Sequence, residues 1–266
     1  MIFYSSFHYS YLWLPLIGLI VGLLGSVIGG GGGFFYLPVL ILLFNAPAQI
    51  AVPTSLAATL PICLVGSYSH HREKNIHWPM GIAFGLSGIV GALSGASITR
   101  ILSAIQLKIC FGVYSIVIAL QMLVNQWKEK KAAAKGLNLP NKSVMNKITK
   151  GSLYGFLAGI ITGTFGTTGS APVLAGLFSL RMPLKLVVGT SLLIVLFNTF
   201  SALAAHFLVG KIDLTLVYFL TSGAIIGAFS GPRLLAGIKV DRAEAPVRRW
   251  YALGMIAFGI LMIVAK

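Results

Sequence analysis

The chain has 266 residues, of which 57% are hydrophobic and only 9% are charged, and its mean hydropathy is +0.91. A soluble domain carries about 25% charged residues, so this composition excludes a soluble protein and predicts an integral membrane protein in a lipid bilayer. The net charge of +15 would suggest nucleic-acid binding in a soluble chain. In a membrane protein it reflects the Lys and Arg of cytoplasmic loops, so we expect no nucleic-acid partner.

Apolar segments recur along the chain, five in each half, and their lengths favour α-helices over the strands of a β-barrel. In the first half the predicted segments are Leu12–Ile28, Phe35–Phe44, Ile50–Ser69, Met80–Thr99 and Gln106–Val124. In the second half they are Gly151–Phe165, Ala171–Leu180, Leu184–Leu208, Leu214–Leu235 and Arg249–Ala265. The second segment of each half is too short to cross a bilayer by itself.

The two halves repeat each other. The stretch GSVIGGGGGFFYLP from Gly25 aligns with GIITGTFGTTGSAP from Gly159, which is 134 positions later. VPTSL from Val52 aligns with VGTSL from Val188 at an offset of 136, and His70 with His206 and GALSG with GAFSG follow at the same offset. Four matches in the same order indicate an internal duplication.

The duplication predicts two transmembrane repeats, 1–125 and 148–266, joined by a basic linker at 126–147. If each repeat crosses the bilayer an odd number of times, 16 cations lie on the linker's side and 4 on the other. An even number of crossings divides them 11 to 9. The positive-inside rule therefore favours inverted repeats, with the N-terminus outside and the linker in the cytoplasm.

Five consecutive glycines, Gly29 to Gly33, interrupt the first apolar region. The 34 residues Leu12–Asn45 are too few for two full crossings, so we predict two short helices that meet at a turn within the membrane. The sequence leaves open whether this is a re-entrant hairpin or a break in a longer helix. Glycine turns and helix N-termini present N–H groups to anions, and GTFGTTGSAP predicts the matching turn from the opposite side.

Two polar turns at mid-depth, between inverted repeats, predict a substrate site. The candidate binding residues are backbone groups of the turns and neighbouring hydroxyl or ring groups: Gly30, Gly31, Gly32, Gly33, Phe34, Thr54, Ser55, Gly166, Thr167, Thr168, Gly169, Ser170, Thr190, Ser191 and His206. His70 and His206 are also candidates for proton coupling. The alternatives are close helix packing for the glycines, hydroxyls bonded to their own helix and histidines at the interface.

The motifs GLLGSVIGGGGGFFYLPVLILL, VPTSLAATL, GTFGTTGSAPVL and VGTSLL resemble those of the TauE/SafE sulfite-exporter family of membrane permeases. The resemblance implies transport of a sulfur-containing anion, such as sulfite, thiosulfate or an organosulfonate like sulfoacetate. Pro53 stands where the family usually has Gly. The second turn, GTFGTTGSAP, is richer in threonine than a run such as GIGGG. An inside-negative potential drives a monovalent anion outward, which favours efflux driven by the potential or by a proton gradient.

Uptake of the same anions and an anion channel are the alternatives within transport. An enzyme is not expected, because Ser170 and His206 form no recognisable nucleophile motif. A metal permease is not expected either, since His70–His71 is the only cluster of such ligands. We expect no cofactor and no bound metal, a location in the cell membrane, and leave homo-oligomerisation open.

Overall fold

The computed structural model describes residues 2–134, 144–180, 182–237 and 240–264. The helices in these parts of the chain are α1 (Leu14–Ile28), α2 (Gly33–Pro38), α3 (Ala48–Arg72), α4 (Trp78–Ile101), α5 (Ala104–Ala134), α6 (Val144–Phe165), α7 (Ser170–Ser179), α8 (Leu184–Val209), α9 (Leu214–Gly237) and α10 (Val240–Val264). A 3₁₀ turn (Tyr9–Trp13) precedes α1 and a π-helical turn (Val39–Leu43) continues α2. Strands β1 (Ile2–Phe3) and β2 (Ile212–Asp213) form a short parallel pair. Each predicted segment thus contains a helix.

The distribution of side chains is that of a membrane protein. Six helical segments of the described chain are long and apolar enough to cross a bilayer. Large aliphatic side chains such as Leu86 and Val90 on α4 are exposed, whereas hydroxyl side chains such as Thr59 on α3 and Thr199 on α8 are buried. An apolar exterior around a polar interior suits lipid as solvent and not water. The prediction of an all-α polytopic membrane protein is confirmed.

The first two segments form a re-entrant hairpin. The ring of Tyr11, just before α1, lies 5.6 Å from the ring of Phe44, just after the π turn. The chain therefore returns to the face from which it entered, after an α1 arm about 22 Å long at 1.5 Å per residue. Helices α6 and α7 form the matching hairpin, since a β-carbon at Gly176 of α7 would lie 2.9 Å from Cγ of Tyr154 on α6.

The two hairpins enter from opposite faces. After the first hairpin, α3, α4 and α5 each cross the molecule, so the face that carries the N-terminus (the N-terminal face) is opposite the face where α5 ends (the linker face). Strand pairing between Ile2 and Ile212 places the α8–α9 junction on the N-terminal face. A hydrogen bond of 2.9 Å from the His77 N–H to Oγ1 of Thr190 places the start of α8 beside the α3–α4 junction. The repeats are therefore inverted, as predicted.

The structure changes the alignment of the hairpins. Both hairpin turns begin and end with glycines in the left-handed region, at Gly29 and Gly32 in the first and at Gly166 and Gly169 in the second. These pairs are 137 positions apart, so the offset of 134 read from the sequence is wrong for this region. The glycines recur every three or four residues, so a shift of about one helical turn superposes glycines of different function. The offset of 136 for α3 and α8 agrees with their contacts, which are described below.

Close packing explains the glycines of the hairpin arms. Helix α1 runs parallel to α9, and α6 runs parallel to α4. A β-carbon at Gly18 would lie 2.0 Å from the carbonyl oxygen of Leu220, and one at the equivalent Gly155 would lie 2.3 Å from that of Phe84. The alternative interpretation of the glycines, close packing between helices, therefore holds for these two arms.

The helices at the joint between the repeats are longer than predicted. Helix α5 continues to Ala134 and α6 begins at Val144, so much of the predicted linker 126–147 is helical, while 135–143 lies outside the described residues. An amphipathic helix continues past its apolar stretch wherever its polar residues still favour helix. The division into repeats at 1–125 and 148–266 stays a prediction.

Candidate functional site

The first hairpin turn requires glycine. Gly29, Gly31 and Gly32 have φ angles of +81°, +64° and +82°, which side chains other than glycine rarely adopt. The N–H groups of Gly30 and Gly31 both donate to the carbonyl oxygen of Gly25, at 2.8 and 3.1 Å. Two of the predicted anion-binding N–H groups are therefore bound to α1. Gly33 opens α2, where N–H groups have no partner within the helix.

The second turn carries hydroxyl groups in place of glycines. Gly166 follows α6 with a φ of +64°, and Gly169 precedes α7 with a φ of +52°. Between and beside them, Oγ1 of Thr168 donates to Oγ of Ser170 at 3.4 Å. The Thr167 hydroxyl is buried and has no hydrogen-bond partner within the described chain. This turn offers side-chain donors where the first offers only backbone.

The two turns lie against each other. A β-carbon at Gly31 would lie 3.1 Å from Cγ2 of Thr168, and one at Gly33 would lie 3.2 Å from the Thr168 backbone nitrogen. A β-carbon at Gly30 would lie 3.3 Å from Oγ of Ser170. Because Gly31 and Thr168 are equivalent residues, 137 positions apart, their contact lies on the pseudo-two-fold axis between the repeats. The structure thus brings together the glycines of one turn and the hydroxyls of the other.

Two equivalent serines hold the turns in place. Ser191 on α8 donates a hydrogen bond of 2.7 Å to the carbonyl oxygen of Gly29, and Ser55 on α3 donates a short one to that of Gly166. In each repeat the third helix therefore binds the turn of the other repeat. The hydroxyl protons of both serines, predicted to face a substrate, are directed at backbone carbonyls.

Thr54 and Thr190 lie apart from the turns. The Thr54 hydroxyl accepts a hydrogen bond of 3.1 Å from the Asp213 N–H, and the Thr190 hydroxyl accepts one of 2.9 Å from the His77 N–H. Thr54 on α3 thus binds the junction between α8 and α9, and Thr190 on α8 binds the junction between α3 and α4. The structure does not bring them to the point where the turns meet.

His70 and His206 occupy equivalent positions, each beside the last turn of the first helix of a hairpin. Nε2 of His206 lies 2.7 Å from the carbonyl oxygen of Gly163, and Nε2 of His70 lies 3.2 Å from that of Ser26. A carbonyl oxygen only accepts, so Nε2 carries the proton in both rings. Each ring thus binds the last turn of a hairpin arm, α6 or α1, where a donor is favourable.

Phe34 directs its ring away from the turns. The ring lies 5.6 Å from that of Phe111 and 6.4 Å from that of Phe258. This aromatic cluster packs the start of α2 against α5 and α10. A contact between Phe34 and a substrate is then limited to its backbone.

Comparison with known proteins decides the family. The family model described as sulfite exporter TauE/SafE matches residues 14–262, which include both hairpins. The chain belongs to the TauE/SafE family. The probable membrane transporter protein YdhB of Bacillus subtilis is 30% identical over 220 residues, which are 82% of this chain and 87% of the relative.

More distant relatives carry the same description. The probable membrane transporter protein YunE of Bacillus subtilis is 24% identical over 244 residues, 84% of this chain and 87% of the relative. A probable membrane transporter protein of Methanocaldococcus jannaschii is 28% identical over 204 residues, 73% of each chain. No solved structure matches. This TauE/SafE protein is a multi-pass membrane transporter, which moves a small molecule across a lipid bilayer.

Three buried polar side chains of this TauE/SafE protein were missed by the sequence prediction. Thr59 on α3 and Asn198 and Thr199 on α8 are fully buried, and their side-chain oxygens have no hydrogen-bond partner among the residues that the structure describes. The amide nitrogen of Asn198 has none either. The available signal was a polar residue in the middle of a long apolar segment, which is costly in a membrane unless it has a function.

Proposed function

We propose that this protein exports a small sulfur-containing oxyanion, such as sulfite, thiosulfate or sulfoacetate, through the cell membrane. The observation that carries the proposal is the contact between the two turns at Gly31 and Thr168, in a chain of the TauE/SafE family. The family description supplies the class of substrate. The turns supply donor groups and helix N-termini, which suit an anion.

The chemistry of the turns favours an anion over a cation. Helix α7 begins at Ser170 with its N-terminus at the second turn, and a helix N-terminus carries a partial positive charge. The hydroxyls of Thr167 and Thr168 are further donors. The five acidic residues of the chain lie outside both hairpins, so the turns have no carboxylate of their own to attract a cation.

Inverted repeats with two re-entrant hairpins suit alternating access. Each hairpin turn is bound to the third helix of the other repeat, through Ser55 and Ser191. Movement of one repeat relative to the other would open the site to the N-terminal face or to the linker face. The site then alternates between two exposures without a continuous pore, which favours a carrier over a channel.

The membrane potential supplies a driving force for export. An inside-negative potential of 100 mV favours the exit of a monovalent anion by about 2.3 kcal/mol. In the proposed orientation the N-terminal face is outside and the linker face is cytoplasmic. At the linker face Arg72 ends α3, Lys74 follows it and Lys185 lies in the first turn of α8, in agreement with the positive-inside rule.

Proteoliposomes loaded with radiolabelled sulfite or thiosulfate test the proposal. We expect saturable flux that follows an imposed potential and fails in Gly31→Leu, with weaker flux in Thr168→Val. Flux that does not saturate would indicate a channel. Flux that requires an inward cation or proton gradient would indicate an uptake permease. No flux of any of these anions under any gradient would remove the proposed substrate class.

A further inference from the structure

Two unpaired hydroxyl groups lie at the centre of the protein. Oγ1 of Thr59 on α3 and Oγ1 of Thr199 on α8 are buried without a hydrogen-bond partner in the described chain, and both residues have an exposure of 0%. Buried hydroxyls nearly always find a partner, often within their own helix, and those that do not need an explanation. A ligand that accepts hydrogen bonds is one explanation.

Thr199 lies on the axis that relates the repeats. Its equivalent residue is Cys63, 136 positions earlier, and the only candidate partner of the Thr199 hydroxyl in the described chain is the Cys63 sulfur, which is a weak acceptor. A β-carbon at Gly31 would lie 2.7 Å from that sulfur and 3.1 Å from Cγ2 of Thr168. Both pairs of equivalent residues, Gly31 with Thr168 and Cys63 with Thr199, therefore meet at one point.

Thr59 reaches the same place from α3. It lies one helical turn before Cys63, and its Oγ1 is 2.9 Å from the position of a β-carbon at Gly33. The backbone nitrogen of Thr168 is 3.2 Å from that position. The Thr59 hydroxyl and the second turn thus converge beside the first glycine of α2.

We propose that the hydroxyls of Thr59 and Thr199 bind the transported anion, one from each repeat, beside Gly33 and Thr168. This inference rests on the proposed function and adds side-chain donors from α3 and α8 to those of the second turn. Each hydroxyl can donate to one oxygen of an oxyanion, and hydrogen bonds to charged acceptors are stronger than those between neutral groups. The equivalent residues, Val195 and Cys63, carry no hydroxyl, so the two repeats contribute at different positions and the site is asymmetric.

Valine has nearly the shape of threonine without its hydroxyl, so Thr59→Val and Thr199→Val test the proposal. The matched control is Thr221→Val on α9, whose hydroxyl oxygen is also buried without a partner in the described structure but which belongs to neither hairpin nor to α3 or α8. Binding of labelled sulfite, thiosulfate and sulfoacetate to the purified protein would be measured together with thermal unfolding. We expect each site variant to raise the apparent Kd about tenfold or more, without lowering the unfolding temperature, and the control to keep the wild-type Kd.

Serine variants separate binding from packing. Thr59→Ser and Thr199→Ser keep the hydroxyl and lose a methyl group, so we expect them to retain most of the affinity that the valine variants lose. Equal losses in the serine and valine variants, or wild-type affinity in both valine variants, would overturn this inference and leave the proposed function intact. Absence of binding of all three anions to the wild-type protein would overturn both.

Discussion

The hydroxyl of Ser191 on α8 donates a hydrogen bond of 2.7 Å to the carbonyl oxygen of Gly29, the first residue of the turn between α1 and α2. Its equivalent, Ser55 on α3, binds the carbonyl oxygen of Gly166 in the other turn. Each turn is thus held by a helix of the opposite repeat. This reciprocal arrangement couples the two hairpins to each other.

Removal of either serine hydroxyl should loosen the turn that it holds. Ser191→Ala leaves the buried Gly29 carbonyl without its partner, and we expect a loss of about 1–3 kcal/mol in the free energy of unfolding together with slower transport. Ser55→Ala should behave alike. Denaturant unfolding in detergent measures the first effect and proteoliposome flux the second. Ser94→Ala is the control, because this exposed hydroxyl bonds only to its own helix, at Val90. Equal stability of Ser191→Ala and the control would contradict the coupling.

Gly31 and Gly254 should respond oppositely to alanine. Gly31 has a φ of +64°, and an added β-carbon would lie 2.7 Å from Sγ of Cys63. The left-handed conformation alone costs about 1–2 kcal/mol, so we expect a larger loss of stability. Gly254 lies in α10 with nothing within 4 Å of an added β-carbon, so alanine there should stabilise the helix by up to about 1 kcal/mol.

The contribution of the Cys63 sulfur to the destabilisation by Gly31→Ala can be measured separately from that of backbone strain. Cys63→Ala removes the atom that a β-carbon at Gly31 would meet and leaves the backbone strain. Gly31→Ala should therefore be less destabilising in a Cys63→Ala background than alone, as measured by unfolding of the double variant. A double variant whose loss is the sum of the two single losses would indicate that the sulfur does not cause the effect.

His206 should act through position and not through its charge. Its Nε2 donates to the Gly163 carbonyl oxygen at 2.7 Å, a bond that the neutral ring can make. We expect His206→Ala to slow flux several-fold at every pH, because about 1 kcal/mol of lost hydrogen bonding loosens the hairpin. Flux measured from pH 5.5 to 8.5, with and without a proton gradient, tests this. If His206→Ala abolishes the dependence on the proton gradient, the ring carries a coupling proton.

The same measurement on His70→Ala examines the equivalent position. Its Nε2 lies 3.2 Å from the Ser26 carbonyl oxygen, so we expect a similar but smaller effect. Loss of proton coupling in only one of the two variants would assign that function to one repeat.

Single cysteines should label from opposite sides of the membrane. Arg72 is exposed at the end of α3 on the linker face, and Lys211 is exposed on the N-terminal face. With Cys63 and Cys110 replaced by alanine, Arg72→Cys should react with an impermeant thiol reagent only from the cytoplasmic side. Lys211→Cys should react from outside. Labelling of both from the same side would refute the inverted arrangement, and exchanged sides would reverse the proposed orientation.

Much of the architecture could be predicted from the sequence, because lipid imposes simple rules on a chain. Apolar stretches located the ten α-helices of the described residues, and the distribution of Lys and Arg predicted an odd number of crossings and inverted repeats. The five glycines predicted a turn inside the membrane. Turns and spans depend on local composition, which a single sequence displays directly.

The alignment of the hairpins and the partners of individual polar groups were decided only by tertiary structure. Glycines spaced three and four residues apart fit two alignments equally well, and the left-handed φ angles of Gly29 and Gly32, matched by those of Gly166 and Gly169, selected the offset of 137. Ser55 and Ser191 looked like substrate ligands, yet their partners are carbonyls more than a hundred positions away. Thr59 and Thr199 passed unnoticed, because a hydroxyl in a helix is ordinary until the structure leaves it buried without a partner in the described chain. Which oxygen a hydroxyl reaches depends on how distant helices cross, and that information is not local.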